Sequence, residues 1–135
     1  MKINPVVHFE MPAEDRKRMI EFYKTTFGWE MNQLGPEMGN YVVVMTSEST
    51  KDGPKKPGMI NGGFYQKTKE MCESYPSFVI AVDDIKKHIK IVENAGGKII
   101  GHPVDIPGVG TYVSFIDTEG NRLSMLQTSM QHQKK

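Results

Sequence analysis

The chain has 135 residues, the size of one ordinary domain or two very small ones. Its 17 Lys and Arg against 16 Asp and Glu leave a formal charge of +1, which gives no global reason to expect nucleic acid or an anionic membrane surface as a partner. The apolar share of 38% approaches the usual globular range of about 45–50% once the 13 glycines are added, which excludes a disordered body, and a single cysteine, Cys72, excludes an internal disulfide and any Cys-rich zinc site.

The first predicted element is a strand. Val6-Val7-His8-Phe9-Glu10-Met11 alternates apolar and polar residues, which is the strand period, and Pro12 is read as its end. Ala13 to Phe27 follows as a helix, with Glu14 and Asp15 at its positive end and Gly28 as its stop. Met19, Phe22, Tyr23 and Phe27 are assigned to its apolar stripe. Strands are expected over 29–34, 41–47 and 59–66, with the Lys-, Gly- and Pro-rich stretch 49–58 as a solvated loop. A second set opens with a strand over 77–82. Asp83 and Asp84 cap a helix that carries Ile85, Ile89 and Val92 on one face, and Gly96-Gly97 stops it. Strands over 98–103, 111–117 and 121–127 complete the set, and a polar tail runs from Ser129 to Lys135.

Both halves therefore read strand, helix, three strands. An ungapped shift of 69 residues carries His8 onto Ser77, Asp15 onto Asp84, Ile20 onto Ile89 and Gly28 onto Gly97. Strand parity, helix cap and helix stop fall in phase, the mark of a repeated βαβββ unit. The expected fold class is α+β: two paired βαβββ modules with curved, mostly antiparallel sheets forming a cleft. The whole is one domain, with module one over about 6–66, a linker over 67–76, module two over about 77–128 and a tail over 129–135.

Parity also assigns faces. Phe9 and Met11 go under the first helix, and Phe78, Ile80 and Val82 under the second. The opposite face then takes His8 and Glu10 from one half and Ser77, Val79 and Ala81 from the other. The same parity adds Tyr41, Val43, Asn61, Gly63, Tyr65, Tyr112, Ser114, Arg122 and Ser124. A sheet face of mixed polar and aromatic side chains suits a small-ligand cup.

The residues His8-Phe9-Glu10-Met11-Pro12, Phe22-Tyr23 and Phe27-Gly28-Trp29 stand in the first half. Val82-Asp83-Asp84, Gly96-Gly97-Lys98, Ile106-Pro107-Gly108-Val109-Gly110 and Phe115-Ile116-Asp117-Thr118-Glu119-Gly120-Asn121 stand in the second. Together, over roughly residues 6–127, they resemble the vicinal oxygen chelate superfamily, which includes glyoxalase I, bleomycin- and fosfomycin-resistance proteins and extradiol dioxygenases. The details are most similar to a glyoxalase-related branch. In metal-dependent members of that family the ligands sit on the first and last strands of each module. By that resemblance His8 stands at the first-strand position, Ser77 at its equivalent in the second module and Ser124 at the closing-strand position. The remaining position falls near Asn61 to Gly63, which holds no carboxylate or imidazole. One strong ligand is left where a catalytic transition metal needs three, so the resemblance implies the fold and argues against the family's usual metal chemistry.

Each candidate has a plainer alternative. His8 serves first as a hydrogen-bonding or orienting group, second as an acid or base, third as a metal ligand. Glu10 shares its face and can hold the imidazole protonated, or else forms a surface pair of little value. His102 is expected at the surface, His88 on a polar helix face and His132 in the tail. The 106–110 segment lacks the helix and lysine of a phosphate cradle and reads as a tight loop. Lys51 to Lys56 is a solvated loop, Trp29 is core, Cys72 lies in the linker without activating neighbours, and the ten methionines are core filler. Tyr41, Tyr65 and Tyr112 either stack on a flat ligand or pack the rim.

Three functions follow in order of preference. The first is binding of a small organic molecule in the cleft without a catalytic metal or other cofactor. The second is a lyase or isomerase acting on a small carbonyl compound, with His8 and Glu10 as catalytic acid and base. The third is a metal-dependent lactoylglutathione-lyase-like or dioxygenase-like enzyme whose unusual site takes Zn, Ni, Mn or Fe. The longest apolar runs, 41–45 and 78–82, are far short of the about 20 residues that span a bilayer. The N-terminus has no signal-peptide-type stretch. A cytoplasmic location, a homodimer, and neither nucleic acid nor membrane as partner complete the expectation.

Overall fold

The computed structural model describes residues 2–69 and 75–129. These fall into two compact units, one built from residues within 8–76 and the other from residues within 1–7 and 77–135. The fold class is α+β, and the two units repeat one plan. The first unit contains β1 (Val6–Ala13, whose first two residues belong to the other unit), α1 (Arg16–Phe27), β2 (Glu30–Gln33), β3 (Val42–Met45), a small hairpin of β4 (Ser49–Thr50) and β5 (Gly53–Pro54), and β6 (Asn61–Gln66). The second contains β7 (Ser77–Ala81), α2 (Ile85–Asn94), β8 (Lys98–Ile106), β9 (Gly110–Ile116) and β10 (Arg122–Thr128). In the first unit the strands lie in the order β2-β3-β6-β1, and in the second β8-β9-β10-β7. In each, two pairings are antiparallel and the last, β1 with β6 or β7 with β10, is parallel. The helix in each unit is the crossover that a parallel return requires.

Local chemistry sets the helix ends. Asp15 caps α1 by accepting a hydrogen bond from Arg18 N at 3.1 Å, and Asp84 caps α2 by accepting from Lys87 N at 3.2 Å. Gly28 ends α1 at φ 69°, a left-handed conformation that glycine takes without steric cost. With Asp15 as its cap, α1 starts at Arg16, three residues after the expected Ala13. Pro12 does not end β1: Lys67 N donates to Ala13 O at 2.9 Å, so pairing runs on past it. A proline is tolerated in a strand where its nitrogen faces away from the neighbour. Strand β8 runs three residues beyond its expected end because a register shift between Ile100 and Val104 absorbs Pro103.

Each helix covers one face of its own sheet. In the first unit Ala13, Val42, Val44 and Phe64 are buried, and Phe9, Met11, Met19, Ile20, Tyr23, Trp29 and Met31 pack on them. The stripe of α1 is thus Met19, Ile20 and Tyr23. Phe22 and Phe27, expected in it, are 54% and 62% exposed. Phe22 is rotated about 100° from Tyr23 around the helix, and Phe27 lies at the last residue, where it meets Tyr23 and Trp29 at ring distances of 6.0 and 6.1 Å. In the second unit Val82, Ile85, Val113, Phe115 and Met125 form the core, joined by Ile80, Ile89, Val92, Ile99 and Leu123. Phe78, expected under α2, is 53% exposed, since it lies at the start of its strand outside that cluster. The closing Asp117-to-Asn121 motif is a structural turn. Asp117 accepts from Glu119 N at 2.8 Å and from Asn121 N at 2.9 Å, and these bonds, with the Asn121 side chain foremost, hold its carboxyl below the ordinary value.

No helix among the described residues is long and apolar enough to cross a membrane. Cys72 and His132 lie outside the described residues.

Candidate functional site

The face of the first sheet opposite α1 carries the polar residues that the β1 alternation sends away from the core. The parallel register sets His8 beside Asn61, Glu10 beside Gly63 and Pro12 beside Tyr65. Antiparallel pairing sets Val43 on the other side of Gly63. The two consecutive glycines of β6 do opposite jobs. A Cβ on Gly62 would lie 2.5 Å from the Phe9 ring on the core side, and a Cβ on Gly63 would overlap the Tyr41 hydroxyl on the helix-free side. Each missing side chain lets an aromatic ring lie directly on the strand.

Tyr41 reaches that position from the turn before β3. A single 3₁₀ turn, Pro36–Met38, is followed by Gly39 at φ 65° and Asn40 at φ 55°. Two left-handed residues in succession reverse the chain, and Asn is among the few side chains that accept this conformation readily. Tyr41 N then donates to Met38 O at 3.2 Å, and Leu34 N to Tyr41 O at 2.8 Å. The ring is laid over Gly63, with its hydroxyl 3.2 Å from His8 Nε2 and donating to Glu10 Oε2 at 3.0 Å. His8, Tyr41 and Glu10 so form one hydrogen-bonded chain on the sheet face, each side chain half-buried.

The electrostatics run opposite to the expectation for Glu10. Burial pushes the His8 imidazole below its ordinary value of 6.5, and the Glu10 charge, which pulls upward, is the smaller effect. The imidazole is therefore neutral at pH 7. In the pH range between the lowered value and 6.5 the unfolded chain binds a proton that the folded chain resists, so stability falls as pH drops below 6.5. One such group changes the unfolding free energy by at most about 1.4 kcal/mol per pH unit. The unfolding midpoint in urea should accordingly fall between pH 7.5 and pH 5.5 more steeply in the natural protein than in His8→Asn. Equal slopes would show that His8 is not held neutral.

Asn61, expected to line this face, is committed to the neighbouring hairpin. Its Oδ1 accepts from Thr46 N at 3.0 Å and its Nδ2 donates to Ser49 Oγ at 2.8 Å, while Thr46 Oγ1 donates to Ile60 O at 2.5 Å. It anchors the 46–60 segment at the His8 end of the face. Val43 and Tyr65 lie on the same face by register, Val43 being 37% exposed.

In the second unit the register places Ser124 between Ser114 and Val79, and Leu126 between Tyr112 and Ala81. Ser124 Oγ is 2.6 Å from the Tyr112 hydroxyl and 3.1 Å from Ser114 Oγ. Ser114 and Ser124 are buried, so this trio satisfies hydroxyls that would otherwise cost stability. Ser77 and Arg122 belong to this face by parity, two residues before Val79 and Ser124. Ile100, Ile116 and Leu126 share it as well. Their alternation with Ile99, Phe115 and Met125 carries the signal, which is easily passed over because both faces are apolar there. His102 is exposed within the irregular part of β8, and Val109 N donates to Ile106 O at 3.0 Å, so the 106–110 segment is the tight turn into β9.

The positions that the resemblance marks for metal ligands do not fit the donor set of a transition metal. His8 is one imidazole, Ser77 and Ser124 are hydroxyls, and a side chain at position 63 would collide with Tyr41. Among the described residues no three His, Cys, Asp or Glu side chains gather as ligands. What the first unit does offer is a neutral imidazole tied through a phenol to a carboxylate, a constellation able to bind polar groups and to exchange protons.

Residues 6–125 match the sequence profile of the Glyoxalase/Bleomycin resistance protein/Dioxygenase superfamily. A glyoxylase-like domain-containing protein of Didymella fabae is 34% identical over 113 residues, covering 83% of this chain and 84% of that one. A probable chloroplastic lactoylglutathione lyase of Arabidopsis thaliana is 28% identical over 120 residues, 86% of this chain but only 33% of the plant protein. Among solved structures, a Streptomyces coelicolor methylmalonyl-CoA epimerase variant bound to 2-nitronate-propionyl-CoA is similar at TM-score 0.70 and 15% identity, over 96% of this chain and 97% of that one. Methylmalonyl-CoA epimerase from Mycobacterium tuberculosis is similar at TM-score 0.67 and 11% identity, over 96% and 91%. At such identities these structures share the fold alone. With the repeated βαβββ plan and the sequence match over nearly its whole length, the chain belongs to the glyoxalase/bleomycin resistance protein/dioxygenase superfamily.

Proposed function

We propose that the protein binds a small polar organic molecule bearing a carbonyl group, on the helix-free face of the first unit's sheet, without a resident catalytic metal. The observation that carries this reading is the His8–Tyr41–Glu10 chain. It places a neutral imidazole and a carboxylate two residues apart on one strand face, half-buried, where hydrogen bonds gain strength from the reduced dielectric. A sequence relative named as a probable lactoylglutathione lyase supports a carbonyl compound as the ligand class.

A thermal-shift screen of 2-oxo acids, 2-hydroxy acids and short acyl thioesters tests it. At one hundred times its dissociation constant a ligand stabilises the folded state by about 2.7 kcal/mol. At least one compound should raise the melting temperature of the natural protein and not of His8→Ala. No shift across the screen, or equal shifts in both proteins, would overturn the proposal. Elemental analysis of protein purified without added metal, followed by Ni, Zn, Mn and Fe titration, tests the metal-free part, and stoichiometric uptake at His8 would refute it.

A second reading, a lyase or isomerase using His8 and Glu10 in acid–base roles, is favoured by one feature: the imidazole is held neutral, the state a general base needs. Under that reading His8→Ala abolishes turnover of the compound found in the screen, and full activity in that variant would reject it.

A further inference from the structure

We infer that Tyr41 is a positioning residue which fixes His8 as the Nε2–H tautomer and leaves Nδ1 as the atom that accepts a proton from the bound molecule. The inference rests on the binding face proposed above and assigns its donor and acceptor atoms.

The argument is a count of protons. The Tyr41 hydroxyl has one, and a carboxylate can only accept, so that proton lies on the 3.0 Å contact to Glu10 Oε2. The phenol oxygen is then the acceptor in the 3.2 Å contact with His8 Nε2, and Nε2 must carry the hydrogen. A neutral imidazole has a single N–H, so Nδ1 keeps its lone pair. Nδ1 has no hydrogen-bond partner among the described residues. The placement of Tyr41 is built into the backbone on two sides. The Gly39–Asn40 reversal delivers the ring, and the bare strand at Gly63 receives it.

The chain also explains what becomes of a transferred proton. When a C–H or O–H bond of the ligand breaks, the electron pair stays on the ligand as an enolate or alkoxide and the proton forms a new N–H bond at Nδ1. The imidazolium still donates through Nε2 to Tyr41, and Tyr41 still donates to Glu10, whose negative charge faces the new positive one through a single phenol. No proton needs to leave the site for the charge to be balanced.

Nitrogen-15 NMR of the labelled 135-residue chain at pH 8, where histidine is neutral in any case, reads the tautomer directly. In the natural protein His8 should show a protonated-type Nε2, an unprotonated-type Nδ1, and a directly detected Nε2–H proton protected from solvent exchange. In Tyr41→Phe, which removes one oxygen, that proton signal should vanish and both nitrogens should move toward the averaged shifts of a free imidazole. Gly63→Ala should do the same by displacing the ring. An Nδ1–H tautomer in the natural protein, or an Nε2–H signal that survives in Tyr41→Phe, would overturn the inference. Either result leaves the ligand screen untouched, and a failed screen with the expected tautomer would defeat the binding reading and the acceptor role of Nδ1 that rests on it, while the positioning of the tautomer by Tyr41 would stand.

Discussion

Phe64→Ala should destabilise the protein by about 3–5 kcal/mol, a large part of the roughly 5–15 kcal/mol that holds a domain of this size. Phe64 is 0% exposed, and its neighbours leave it no route to collapse gently. It pairs in register with Met11 on one side and Val42 on the other, and its ring lies 5.7 Å from that of Tyr23 on α1. Tyr23 is itself stacked on Trp29 at 4.6 Å and 8°, and Trp29 meets Phe9 at 5.8 Å. Removing Phe64 therefore opens a cavity bordered by aromatic rings, which cannot fold inward as aliphatic chains can. The functional consequence follows from the strand itself. Gly63 and Tyr65 flank Phe64 on the other face, so a loosened β6 also loosens the surface against which Tyr41 is laid. Urea unfolding should show the midpoint moving sharply down, and the protected Nε2–H signal of His8 should weaken even in buffer. A loss under about 1 kcal/mol would show that Phe64 is not the keystone of this core.

How much of this was legible beforehand depends on the range over which a residue acts. His8-Phe9-Glu10-Met11 states its two faces within four residues, because strand parity is a local property. Asp15 and Asp84 state their caps just as locally, and the in-phase repeat of caps and strands makes the duplication visible with few identities. The helix stripes were legible in kind and misjudged in detail: Phe22 is apolar but lies on the solvent side of α1, and hydrophobicity alone cannot say which of two adjacent aromatics faces the sheet. The site itself is only half local. Parity sends Tyr41, Gly63, His8 and Glu10 to one face. It does not say that the phenol reaches across β6 to β1, because that depends on the left-handed pair Gly39–Asn40 and on the register of β3 against β6. Asn61 illustrates the converse. Its parity is right, yet its amide is spent on Thr46 and Ser49, partners fixed by the path of a hairpin that no periodicity describes. The protonation state of His8 is beyond sequence for the same reason. Glu10 two residues away argues for a raised value, and only the packing around the imidazole shows that burial outweighs it.

Gly110→Ala should cost about 3 kcal/mol or more, whereas Gly108→Ala, two residues earlier in the same turn, should cost only about 1–2 kcal/mol. Both glycines have positive φ, 76° at Gly108 and 147° at Gly110, so both substitutions strain the backbone. They differ in what a methyl group would meet. At Gly108 there is nothing within 4 Å, so the conformational penalty stands alone. At Gly110 the added carbon would overlap the backbone carbonyl oxygen of Gln127 and lie 2.9 Å from Thr128 Cα. Neither atom can swing aside as a side chain can. Gly110 pairs with Thr128, and the next residues carry Thr111 opposite Gln127 and Tyr112 opposite Leu126, so relief requires the ends of β9 and β10 to part. That separation would be transmitted to the hydroxyl trio, whose shortest contact, 2.6 Å between Tyr112 and Ser124, lies just beyond. Thermal unfolding of the two variants side by side, with hydrogen exchange at the β9–β10 amides, decides the matter. Gly110→Ala should melt well below Gly108→Ala and lose protection along that strand pair. Equal melting temperatures would mean that backbone strain alone, and not the close approach of Gln127, is what the glycine relieves.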